Sequence, residues 1–263
     1  MRRLHLDKGI WAFALLATLG FIGTAGATPS VATLNFTDNQ YTMCFIDVRR
    51  GADINDNNAP DLGGTGHTAL NFTGGAGPAG DTWLTKFTPD GGSLICDGSI
   101  ATINLAADVL IHTYNNAKGA GLVALLDSAR GGKGLALILY DQGNADALQL
   151  ATIDPASGQL TKITSVSLGA GIAENTWYHL QMVVAAVDNG QVGVDGRVAR
   201  HVTPTDPNSP VVEPVGPVLF FRGSPSALGL DRDGEIGIVA SAFSTNVNTS
   251  VTNFLLGRCG QPA

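Results

Sequence analysis

The chain has 263 residues, of which 44% are hydrophobic, 14% are charged and 34 are Gly, with 15 Lys and Arg against 22 Asp and Glu. That apolar content excludes wholesale disorder, and so few charges, with Glu only at Glu174, Glu213 and Glu235, exclude a mainly helical protein, whose surface helices need charged periodic blocks. A net charge of −7 disfavours nucleic acid and anionic membranes, and the basic pair Arg49-Arg50 reads as a solvated turn.

Met1 to Lys8 carries Arg2, Arg3 and Lys8, residues 9–23 are uncharged and apolar, and Ala25-Gly26-Ala27 offers the small-x-small pattern of a signal peptidase site. Such an apolar run is shorter than the ~20 residues a bilayer core requires. Residues 1–27 are therefore expected to be a cleaved signal peptide, leaving a secreted or periplasmic protein with no membrane span in its mature form. Cleavage would remove three basic residues and one acidic residue, leaving 12 against 21 and a net charge of −9. Cys44, Cys96 and Cys259 are disulfide candidates in an oxidising compartment, with three pairings open.

Residues 28–82 read as an N-terminal strand (Tyr41 to Val48) with long loops rich in Gly, Asn and Asp, part of the same domain as the body, residues 83–263. Within those loops Asp53, Asn55, Asn57 and Asp61 are candidate oxygen ligands for calcium, although Gly and Glu are missing where a calcium loop of the EF type needs them. Asn and Asp are also ordinary turn residues.

From Trp83 onward short apolar runs recur every 8 to 14 residues between Gly, Asn or Asp, the mark of a sandwich or barrel. In 103–112, Ile103, Leu105, Ala107, Val109 and Ile111 alternate with Asn104, Asp108 and His112, which predicts a half-buried strand. Leu135 to Tyr140 is apolar on both faces and should lie centrally. Leu148 to Ile153 and Leu160 to Leu168 flank a turn at residues 154–158. Residues 175–185 put Tyr178, Leu180, Met182 and Val184 on one face and Trp177, His179, Gln181 and Val183 on the other.

The runs at 119–125, 134–141, 175–180 (NTWYHL), 190–196 (GQVGVDG) and 234–239, with Asn253-Phe254, together resemble the concanavalin A-like lectin/glucanase superfamily, the laminin-G-like jelly roll, over about Trp83 to Leu256. The resemblance implies an all-β fold, a two-sheet antiparallel jelly-roll sandwich with its first and last strands adjacent. It leaves function open between lectins, glycosidases and adhesion modules.

Chemistry is sparsely signalled. The paired acids of a glycosidase reduce to Asp233 with Glu235, in a segment that reads as a turn entering a strand. No G-x-S-x-G elbow, phosphate loop or dinucleotide fingerprint occurs. The leading expectation is an exported, non-catalytic lectin-like sandwich that binds a glycan or cell-surface component or serves a structural role. The alternative is a polysaccharide-acting glycoside hydrolase or lyase on the same fold, using Asp108, Asp141 or Asp195 from different strands. The candidate ligand-binding residues are His179, Gln181, Gln149 and Tyr140, whose polar groups suit sugar hydroxyls; the plainer reading is a sheet face kept soluble.

Overall fold

In the computed structural model the described residues are 32–34, 45–49, 52–55, 70–74, 81–87, 102–112, 118–141, 146–169, 171–173, 176–203, 211–230, 234–242 and 248–257. The expected leader, all three cysteines, Asn57, Asp61 and Asp233 lie outside them. No helix among the described residues is long and apolar enough to cross a membrane.

The strands form two antiparallel sheets, an all-β jelly-roll sandwich. The first runs β13 (Val211–Pro214), β12 (Gln191–Thr203), β11 (Trp177–Val187), β6 (Thr102–Ile111), β16 (Asn248–Gly257), β4 (Leu70–Gly74) and β3 (Ala52–Asn55), with β1 (Ala32–Leu34) on β16 and β14 (Leu219–Gly223) on β12. The second runs β10 (Leu160–Ser167), β9 (Ala147–Ile153), β8 (Gly134–Asp141), β7 (Lys118–Leu126), β15 (Glu235–Ala242), β5 (Asp81–Phe87) and β2 (Phe45–Arg49). The first strand pairs with the last, as the resemblance implies.

Period-two alternation explains the core. Ile103, Leu105, Ala107, Val109 and Ile111 of β6 and Tyr178, Leu180, Met182 and Val184 of β11 are buried between the sheets, against Leu122 of β7 and Leu135, Leu137 and Leu139 of β8. The central position expected for Leu135 to Tyr140 has its reason here too. β8 lies between β7 and β9, and its alternate residues Ala136, Ile138 and Tyr140 join a second apolar layer with Val123, Ile153 and Val239 on the outer face of that sheet. By contrast, β10 at the edge carries exposed Thr161 and Lys162.

The hairpin of β11 and β12 positions the site. Its register runs from Tyr178 opposite Arg200 to Val187 opposite Gln191, and Asp188–Gly190 closes it. Asn189 (φ 63°) and Gly190 (φ 69°) take the left-handed conformation that such a tight turn requires, which Gly adopts freely and Asn more readily than most residues. Because register is held along the whole hairpin, every second residue of β11 and β12 is committed to the outer face.

Candidate functional site

Register places a polar field on the outer face of the first sheet. Asp108 of β6 lies opposite His179 of β11, and His179 opposite Ala199 of β12. Two residues along, Ala106, Gln181 and Arg197 form the next row, and Asn104, Val183, Asp195 and Phe220 of β14 the one after. Burial is graded across this field: Asp108 is buried, Asn104 and Gln181 are intermediate, Arg197 is exposed, and Phe220 is 70% exposed.

At the buried end, Asp108 is the hub. Its Oδ1 is 2.8 Å from both His179 Nδ1 and His201 Nε2, and its Oδ2 accepts a hydrogen bond from Asn253 Nδ2 at 2.7 Å. His179 and His201 meet edge to face with ring centroids 6.4 Å apart. Burial opposes ionisation of Asp108, but the hydrogen bonds and charges of the two histidines outweigh it and pull the carboxyl down to about 2. It is therefore a carboxylate at neutral pH.

Asn253 reaches this hub through a bulge. Between Thr252, opposite Asp108, and Leu255, opposite Ala106, β16 advances by one residue more than β6, and Asn253 takes up the offset at φ 49°. Strict alternation would turn Asn253 toward the core, where Phe254 lies instead; the bulge re-aims its amide at the carboxylate.

The exposed end is looser. Gln181 Nε2 donates to Asn104 Oδ1 at 3.4 Å, and Arg197 forms a two-pronged pair with Asp195 at 3.1 and 3.0 Å, largely in solvent. Such pairs contribute little to stability, so both groups can exchange partners cheaply.

Among the expected ligand residues, His179 and Gln181 do share this face. Gln149 and Tyr140 do not join them, which corrects the expectation. Both belong to the second sheet, where Gln149 lies opposite Ile138, and Tyr140 is 3% exposed within the outer apolar layer. The two outer faces of a sandwich point away from each other, so one ligand cannot bridge them. Burial and the neighbouring Asp141 push the Tyr140 phenol further above its usual value, so it stays protonated. The calcium candidates also fare differently from expectation: Asp53 and Asn55 sit in β3, paired with Thr73 and Asn71 of β4 in an extended ladder rather than a tight loop.

The acids weighed for hydrolysis separate likewise. Asp141 is fully buried in the second sheet, while Asp195 lies two strands and four residues from Asp108, which is about 16 Å by strand geometry. A carboxylate pair for glycoside hydrolysis stands no more than ~9.5 Å apart. Glu235 is structural: Lys86 Nζ binds it at 2.8 Å, and the Ser128 backbone N–H and hydroxyl donate to its other oxygen. Burial opposes its ionisation, and Lys86 and Ser128 more than offset this, holding the carboxyl below its ordinary range. Because the folded value is depressed, the stabilisation is fully present above the unfolded value of about 4.3 and is lost as pH falls through the folded one. Glu235→Gln is thus expected to cost about 1–3 kcal/mol at pH 7, with the gap to the parent narrowing in urea titrations below pH 4.3, the ordinary Glu value of about that size.

His201, Asn253 and Phe220 were not singled out from sequence as ligand residues. A charged Asp108 inside an apolar strand was the available signal, since a buried carboxylate demands partners.

Neither a protein-family model nor a curated protein matches the sequence. Solved structures similar to this chain include the carbohydrate-binding module CBM66 from Bacillus subtilis (11% identity, TM-score 0.46, covering 81% of this chain and 95% of that one). They also include the PL-14 alginate lyase from Aplysia kurodai (10%, TM-score 0.48, 78% and 86%) and the Trypanosoma cruzi calreticulin globular domain (10%, TM-score 0.45, 86% and 83%).

Proposed function

We propose that this is an exported, non-catalytic lectin-like protein that binds an oligosaccharide along the outer face of its first sheet. The observation that carries the reading is the meeting, on one rigid face, of the 70% exposed ring of Phe220 with the amides of Gln181 and Asn104 and the Asp195–Arg197 pair. Amide groups both donate and accept, as sugar hydroxyls do, and an exposed ring offers an apolar platform to a sugar's C–H face. Phe220 and His179 lie about 16 Å apart by register, a span that suits several linked sugars rather than one. Asp195, the acid weighed as a partner on the same face, stands about 16 Å from Asp108, beyond the ~9.5 Å limit of paired-acid hydrolysis.

The test is a glycan array with the full chain, followed by calorimetry on the best hit. Phe220→Ala, which leaves the core untouched, is expected to weaken binding roughly tenfold or more, and Gln181→Ala should weaken it by a smaller factor. Undiminished affinity in both variants would place binding elsewhere, and cleavage of the bound glycan would overturn the non-catalytic part.

A further inference from the structure

We propose that Asp108, His179 and His201 form a binding site for a divalent transition-metal ion of the zinc type. The atoms concerned are Asp108 Oδ1, His179 Nδ1 and His201 Nε2, all within 4.8 Å of one another. Tetrahedral zinc with N and O ligands at about 2.0–2.2 Å keeps those ligand atoms ~3.3 Å apart. Opening the two 2.8 Å contacts by about half an ångström, and setting the two ring nitrogens, which lie within 4.8 Å of each other, at the same ~3.3 Å spacing, admits the ion in place of the two hydrogen-bonding protons.

Donor chemistry selects the class of metal. Two imidazoles and one carboxylate suit zinc, cobalt or nickel, whereas calcium and magnesium ask for a shell of oxygens. The carboxylate is prepared for this role by Asn253, which occupies Oδ2 and leaves Oδ1 to the ion, the kind of outer partner that fixes a ligand's orientation. Among the described residues the hydrogen-bonding partners of Asp108 are His179, His201 and Asn253 and include no Lys or Arg, although a buried carboxylate is ordinarily paired with such a cation. The ligands come from three neighbouring strands, β6, β11 and β12, whose opposite faces are locked in the core, so the triad is rigidly held. One side is open: the His179 side chain is 37% exposed and that of His201 is 3% exposed. Solvent or a ligand oxygen can approach from the His179 side to complete the coordination.

The experiment strips the full chain with a chelator, then titrates it with Zn2+ by calorimetry and with Co2+ by visible absorption, where tetrahedral cobalt absorbs far more strongly than the octahedral aqua ion. One equivalent should bind, zinc should raise the thermal midpoint, and His179→Ala should weaken binding at least tenfold while folding normally, because its side chain is partly exposed. His201→Ala should do the same, and if it fails to fold, His179→Ala decides alone. Phe220→Ala should bind zinc as the parent does, which separates this site from the glycan reading. No saturable uptake by the folded parent, or uptake undiminished in His179→Ala, overturns the proposal.

Discussion

Met182→Asp is expected to abolish the cooperative fold or cost about 4 kcal/mol or more, because it exchanges a fully buried thioether for an unpaired buried charge. Met182 lies between Leu105 of β6 and Gly196 of β12. Leu137 of the opposite sheet descends onto Gly196 so closely that a Cβ there would stand 2.7 Å from its Cδ1. Met182 is 0% exposed, so a carboxylate at position 182 would be cut off from solvent. Met182→Leu, nearly equal in volume, should stay within about 1.5 kcal/mol of the parent. Urea unfolding followed by tryptophan fluorescence separates the two variants, and a stable, soluble Met182→Asp protein would refute the core assignment.

The second large effect is expected at Asp108→Ala. It removes the acceptor of three hydrogen bonds at once, from His179, His201 and Asn253, and leaves the imidazole of His201, whose side chain is 3% exposed, without its carboxylate partner. A loss of roughly 3–5 kcal/mol follows from breaking a buried polar network on one side. Asp108→Asn keeps one acceptor oxygen and should lose less. Chemical denaturation supplies the magnitude, and the histidine ring resonances in NMR report whether both imidazoles have lost their anchor. Equal stability of Asp108→Ala and the parent would show that the hub does not hold these strands together.

How much of this was legible varied with the range of the interaction. Facing within a strand follows from alternation alone, so Tyr178, Leu180, Met182 and Val184 were assigned inward, and His179 and Gln181 outward, from a single run of residues. The placing of Asn104 and Asp108 on one face of β6 came from the same periodicity. Tyr140 and Gln149 went astray because alternation says nothing about which of two sheets a strand enters. Asp53 and Asn55 went astray because short Asn- and Asp-rich segments satisfy the signals of a loop even where the neighbouring β4 recruits them into a ladder.

The sequence by itself determined the class of fold and the facing of its longest strands, since both rest on local composition and a two-residue period. Only the tertiary structure decided that Asp108, His179 and His201, up to 93 positions apart in the chain, meet at one carboxylate. Strand order depends on pairings between distant segments, and local periodicity does not carry that information. The bulge that brings Asn253 to Asp108 belongs to the same category: it is an offset between β16 and β6, defined by two strands together and invisible in either one alone.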